Sequence, residues 1–261
     1  MNGFIAALPM YDWPETRAET DSEWSLLSGM LAKRGINAPV SLVRCNADMP
    51  PIPGGIRNSD GLVIAPDPST LPPDQLDLHT LWRHPALLLA QTCWGPMGFG
   101  LAEHVRVVGQ PDYSAFEGGA GAFYSSAVLM RRDGGLRDVA APRDGSALIP
   151  VERIKGARLA YNSLDSISGL IALTRDLEER HSSASLFSGR LETGGHRASI
   201  AAVAEGHADL CAVDCRSWAM AKRYENRAQC LAVVGWTRWR KGLPFISSLS
   251  CPAYSLVSGS V

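Results

Sequence analysis

The chain has 261 residues, 46% of them hydrophobic, and a formal net charge of −1. Such a length and composition give a globular protein with one large or two medium cores, and exclude a disordered chain. The near-zero charge argues against a polyphosphate or nucleic-acid partner and against an anionic membrane surface. In chain order, residues 4–8 read as a strand. Asp12 then reads as a helix cap with Pro14 in the first turn. Trp24, Leu27 and Leu31 recur at helical spacing, and Gly35 ends the run. Residues 41–44 and 61–65 read as strands, separated by a Pro/Gly-rich loop. Residues 76–84 form a short helix, and 86–93 (ALLLAQTC) a buried strand. Residues 105–109 and 124–131 are further strands, and 134–146 is a polar loop. Residues 151–155 lead through Gly156 into a strand over 158–161. Leu170, Leu173 and Leu177 mark the next helix, 199–205 another, 208–213 a strand and 231–236 the last clear one. This alternation predicts an α/β fold with largely parallel sheets, in which ligands bind beyond the carboxyl ends of the strands.

The six cysteines are scattered without a C-x-x-C pair, as in a reducing compartment. Cys211 and Cys215 flank Asp214, but no histidine pair accompanies them and no metal site is predicted. No cofactor is implied either. The opening MNGFIAALPMYDWPE has no basic n-region, long apolar stretch or cleavage site, and no segment is long and apolar enough to span a bilayer. The sequence therefore predicts a cytoplasmic protein, or a periplasmic one if a leader precedes this stretch. Trp236, Arg238, Trp239, Arg240 and Lys241 form a basic aromatic run, read as a solvated loop leading into Pro244.

Two stretches carry most of the functional signal. NSLDSISG (residues 162–169) and TGGHRAS (residues 193–199) each follow a strand and open an amphipathic helix. The first N–H groups of a helix have no partner inside it and lie at the positive end of its dipole. Small residues leave those groups open, and hydroxyls add donors. Two such starts in one chain suggest a single oxyanion held from two sides. The residues alone leave other readings open. Ser166 is also a good plain N-cap, and Asp214 a good cap for a helix beginning at Arg216.

The run VERIKGARLAYNSLDSISG, followed by TGGHRASIAAVAEGHADLCAVDCRSW, resembles the phosphonate-type substrate-binding proteins of ABC transporters. LPMYDWPE, LLLAQTCWGP and VVGQPDYSAFEGGAGAFYSSAVLMRR resemble a signal-less branch of that family. The resemblance implies a two-lobe, type 2 periplasmic-binding fold with mostly parallel sheets and a two-strand hinge. Lobe one would comprise residues 1–115 plus 235–261, and lobe two residues 116–234. Ser166 and Ser168 match the family's hydroxyls at the anion-binding helix start. Ile167 stands where many members carry threonine, so one donor is lost. His196 matches a ligand-facing histidine, with Thr193 opening its turn, and Asp214 a carboxylate facing the ligand's polar end. Tyr11 and Trp94 match lobe-one positions that close over the ligand, and Tyr124 and Ser125 begin the strand entering lobe two.

The function so implied is non-catalytic. A small phosphonate, phosphate ester or carboxylate is clamped between lobes, with an ABC permease or a regulatory protein as partner. The alternative is a cytoplasmic enzyme on the same fold, such as a chorismate-dehydratase-like lyase using His196 or Asp214 as base. A hydrolase built on Ser166 or Ser168 with His196 and Asp214 lacks a G-x-S-x-G elbow. A regulatory effector domain would need a separate DNA-binding partner. The short tail after GLPFISSLS would leave apolar surface bare, which favours a homodimer.

Overall fold

The computed structural model describes residues 3–133, 135–180 and 186–256. Gly134, at the head of the expected polar loop, and tail residues 257–261 lie outside them. The chain begins with β1 (Ile5–Ala7), α1 (Arg17–Ala32), β2 (Ile56–Arg57), β3 (Val63–Ala65) and α2 (Leu78–Arg83). It continues with β4 (Leu87–Gln91), α3 (Trp94–Gly98), β5 (Val105–Gly109), β6 (Gly119–Ala120), β7 (Phe123–Tyr124) and β8 (Ser126–Arg131). Then come α4 (Val151–Ile154), β9 (Arg158–Tyr161), a π turn (Ile167–Ile171) that runs into α5 (Ala172–Glu178), β10 (Gly189–Glu192) and α6 (His196–Ala204). The last elements are β11 (Leu210–Asp214), α7 (Cys215–Tyr224), β12 (Leu231–Trp236), β13 (Arg240–Lys241) and β14 (Phe245–Ser248).

These elements form two compact units. One comprises Met1–Gln110 and Leu243–Val261, the other Pro111–Gly242; they are lobe one and lobe two below. Neither crossing point lies in a strand, since β5 ends at Gly109 and β14 starts at Phe245.

Lobe one is built on a four-stranded sheet in the order β1-β4-β14-β5. β4 is buried along its whole length, which explains its unbroken LLLAQ run: a strand covered on both faces has no polar side. Along β1, Ile5 and Ala7 enter one apolar cluster, while Ala6 and Leu8 enter another. This is the period-two alternation of a strand. The tail does not leave the core bare. Leu256 is buried and its N–H donates to the Val108 carbonyl at 2.6 Å, while the Tyr254 hydroxyl donates to the Leu88 carbonyl.

Lobe two carries a five-stranded sheet, β10-β9-β11-β8-β12, and a small sheet, β13-β7-β6. Its core gathers Leu159, Leu170, Leu173, Leu177, Leu210 and Ala212 between the large sheet and the helices. Each such leucine contributes roughly 1.5–3 kcal/mol when fully buried. The small sheet brings the two ends of this lobe together. The Gly242 N–H donates to the Ala122 carbonyl at 2.8 Å, and a β-carbon on Gly242 would lie 2.1 Å from the Tyr113 ring.

Both large sheets are mixed, not largely parallel. β1 pairs with β4, and β9 with β10 and β11, in parallel, but β14 and β8 run antiparallel to both of their neighbours. Neither β14 nor β8 enters its sheet through a right-handed crossover helix, the connection that parallel neighbours require.

Two local expectations also change. Asp12 does not cap α1; its carboxylate instead binds the Arg44 guanidinium, at 2.7 Å from Nε. The basic aromatic run is not a solvated loop. Trp236 is fully buried with its indole N–H on the Val139 carbonyl at 2.7 Å. Arg240 binds Asp176 at 2.5 Å, and Arg238 reaches Glu179 at 3.0 Å. Trp239 stacks with Phe123 at 6.5 Å between ring centroids. Asp176 is buried, and that burial pushes its carboxyl up despite the Arg238 N–H and the Arg240 charge.

Candidate functional site

Strand β9 ends at Tyr161, and the chain turns over Asn162–Asp165 before the first helix start. Ser166 caps this start: its backbone is extended and its Oγ accepts the Gly169 N–H at 3.0 Å. The helix opens with a widened turn, in which the Ile171 N–H reaches back five residues to the Ser166 carbonyl at 3.0 Å. Such single π turns inside α-helices are frequent at functional sites. Glycine at position 169 leaves room for this turn: a β-carbon would lie 2.7 Å from Asn162 Oδ1 and 3.0 Å from Ser166 Oγ, so those side chains would have to shift. With the third amide taken by Ser166, the Ile167 and Ser168 N–H groups are the open donors of this helix end.

The second start is α6. Gly194 has a φ of +82°, which a side chain resists, and Gly195 is an extended N-cap with no side chain to block the amides beyond it. Thr193 is turned inward. Its hydroxyl lies 2.9 Å from the Tyr161 carbonyl and 2.7 Å from Ser199 Oγ, so it ties the end of β10 to the end of β9. Its hydroxyl is thus engaged within the turn. The neighbouring Arg197 is held by Glu225, a buried acid, at 3.0 Å. Burial works to raise the Glu225 carboxyl, but the bonds from Arg197 and the Arg227 N–H outweigh it and leave it lowered. This brace fixes the first turn of α6.

The two starts meet at one histidine. His196 Nε2 lies 2.9 Å from Ser168 Oγ and 3.1 Å from Asp214 Oδ2. Asp214 comes from the end of β11 and also caps α7, accepting the Ser217 N–H at 2.9 Å. It is only 2% exposed. Burial works to raise its carboxyl, yet the bond and charge of His196, with the Ser217 bonds, hold it below the usual range. Ser168, His196 and Asp214 are the residues of a hydrolytic triad but not its geometry. A triad sets serine and aspartate on opposite ring nitrogens, whereas here both sit on Nε2. The nitrogen facing Ser168 carries the hydrogen that Asp214 accepts, so it cannot take the serine proton and the hydrolase reading has no relay.

The remaining expected residues fall in different places. Ile167 is buried between the two serines of the first start. Ser125 lies beside Asp214, its carbonyl accepting the Cys215 N–H at 3.2 Å. Tyr124 is 1% exposed and packs on Tyr113 at 5.4 Å between ring centroids. Tyr11 and Trp94 belong to lobe one. Tyr11 is buried just after β1, and Trp94 opens α3 against a lobe-one core cluster. Sequence reasoning missed the π turn, the Glu225 brace and the inward set of Thr193. Only Glu225 left a trace, as an acid beside the Arg227 it partners.

The family model for the phosphonate periplasmic substrate-binding proteins of ABC transporters matches residues 102–247, more than half of the chain and both helix starts. The chain belongs to this family. It is a solute-binding protein, and membership brings with it a small anionic solute and an ABC permease as partner. No curated protein matches it in sequence. Solved structures of similar fold include PhnD1 of Prochlorococcus marinus in complex with methylphosphonate, at 16% identity and a TM-score of 0.57. That match covers 94% of this chain and 76% of the other. A binding-protein component of an ABC phosphonate transporter from Pseudomonas aeruginosa gives 13% identity and a TM-score of 0.58, with 96% and 70% covered. A Xanthomonas citri protein bound to ATP gives 10% identity and a TM-score of 0.52, with 97% and 78% covered. At such identities the likeness is one of fold: the two-lobe type 2 periplasmic-binding fold. Among the described residues no helix is long and apolar enough to cross a membrane.

Proposed function

We propose that lobe two binds the oxyanion of a small phosphonate or phosphate ester at the Ser166–Gly169 start, through the Ile167 and Ser168 amides, the Ser168 hydroxyl and the His196 ring. Ser166 supports the site by capping the turn. One observation carries the reading: two helix starts from separate segments converge on a single serine–histidine contact of 2.9 Å. Oriented amides and hydroxyls hold an anion without a basic field, which suits a chain of net charge −1. Carboxylates share the acceptor chemistry but lack the third oxygen that a tetrahedral headgroup would set against these donors.

The test is a thermal-shift panel of methylphosphonate, aminoalkylphosphonates, phosphate esters, sulfonates and carboxylates on wild type and Ser168→Ala. A ligand specific for the folded state raises the melting temperature once well above its Kd. A phosphonate or phosphate-ester shift that disappears in Ser168→Ala supports the site. No shift with any member of the panel, or a shift untouched by Ser168→Ala, removes it.

A further inference from the structure

Helix α7 has an acid at each end: Asp214 is its N-cap and Glu225 its C-cap. With ten residues between them, the two caps stand roughly 15 Å apart along the helix axis. Each acid holds one of two consecutive residues of α6. His196 Nε2 lies 3.1 Å from Asp214 Oδ2, and Arg197 Nε lies 3.0 Å from Glu225 Oε2. Neighbours on a helix diverge by about 100°, which lets the two side chains reach opposite ends of α7. The first turn of α6 therefore straddles α7.

What precedes that turn makes the anchoring matter. Gly195 is the N-cap and makes no side-chain bond, and Gly194 has a φ of +82°, so two residues without side chains lead into His196. The anchor on α7 is stiff. Glu225 is buried, and its other oxygen, Oε1, accepts the Arg227 N–H at 3.3 Å and lies 3.4 Å from Arg227 Nη1. Arg227 Nε in turn reaches Glu205, the C-cap of α6, at 2.8 Å. One network thus grips α6 at its first turn through Arg197 and at its far end through Arg227.

We infer that Glu225 is a positioning residue for solute binding: through Arg197 it holds the first turn of α6 so that His196 stays against Ser168 and Asp214. It acts at a distance, since its own bonds go to Arg197 and Arg227. This rests on the oxyanion lying at Ser168 and His196, as proposed above. Without the Arg197 bond, α7 grips the turn at one end instead of two, and the 2.9 Å contact between His196 and Ser168 is no longer held in place.

Titration calorimetry of the full chain with methylphosphonate compares the wild type with Glu225→Gln, Arg197→Gln and the double variant. Each single change should weaken binding by about tenfold, the lower end of the effect that orienting partners of metal-binding histidines have. The double variant should bind no more weakly than either single one, because both remove the same bond. Arg227→Gln breaks the link to Glu205 but leaves the Arg197 pair, so it should lower the melting temperature and keep the affinity. The His196 ring resonances of the solute-free protein should shift in Glu225→Gln and Arg197→Gln and stay in place in Arg227→Gln. Arg197 is part-exposed, so its variant carries the test if Glu225→Gln does not fold. Wild-type affinity in Arg197→Gln, tighter binding in Glu225→Gln by a released arginine, an equal loss in Arg227→Gln, or unmoved His196 resonances would each overturn the inference. If the wild type binds no methylphosphonate, the oxyanion reading fails, and the solute-free resonances still decide whether Glu225 positions the ring.

Discussion

Ser166 and Ser168 are two residues apart, yet the structure gives them different work, and Ser166→Ala tests that division. Ser166 is 8% exposed, and its Oγ accepts the Gly169 N–H at 3.0 Å. Removing a serine cap costs about 1 kcal/mol, and a buried donor left without a partner costs about 1–3 kcal/mol. The same hydrogen bond underlies both figures, so they overlap, and the expected loss is about 1–2 kcal/mol. In urea that appears as a lower midpoint at unchanged slope, and on heating as a fall of roughly 2–8 °C. Methylphosphonate affinity should change less than in Ser168→Ala, whose hydroxyl contacts His196 and, in the proposed site, the ligand. A donor to a charged oxygen is worth about 1.5–3 kcal/mol, so Ser168→Ala should weaken binding by about tenfold or more with little effect on the midpoint. The reverse pattern, Ser166→Ala unfolding like wild type but failing to bind, would refute the assignment of Ser166 to the cap.

Two further perturbations probe lobe two. Asp176→Ala leaves the Arg240 guanidinium and the Arg238 N–H without the acid that binds them at 2.5 and 2.7 Å, and should cost about 3–5 kcal/mol in denaturant unfolding; a loss under about 1 kcal/mol would show the pair to be dispensable. Asp209, bonded to Arg158, has its carboxyl lowered to about 2 in the fold. A lowered carboxyl stabilises above its unfolded pKa of about 3.9, and that contribution is lost as pH falls from there toward 2. Asp209→Asn should therefore flatten this part of the stability curve, modestly since the pair is part-exposed. An identical acid limb in the variant would contradict it.

The candidate site was legible because its residues lie at helix starts, where residue type and position coincide. Serine before a leucine-periodic run, and glycines before His196, state their geometry in the sequence. What could not be read was direction. Thr193 looks like a donor beside a ligand until the fold turns its hydroxyl onto Tyr161 and Ser199. That Ser168 and Asp214 share one ring nitrogen is a matter of side-chain geometry, with no sequence signal at all. Among the strands, β9 and β12 begin and end where the residues place them, because both are bounded, apolar and local. Residues 41–44 look equally extended, yet they form no strand; the Val43 N–H donates to the Ala6 carbonyl at 2.7 Å without a ladder beyond it. β14 escaped notice because FISS seems too polar for an interior strand. Its serines are buried all the same, with Ser247 Oγ donating to the Leu87 carbonyl at 3.4 Å.

Lobe two is one uninterrupted stretch, Pro111–Gly242, whose closing glycine rests against the Tyr113 ring near its beginning. A segment whose ends meet behaves as a cassette: it can be exchanged or re-ligated without stretching the chain that carries it. Ser168, His196 and Asp214 all travel inside that cassette. The proposed anion site could therefore pass from one host lobe to another in a single genetic exchange, its hydrogen-bond wiring arriving already assembled.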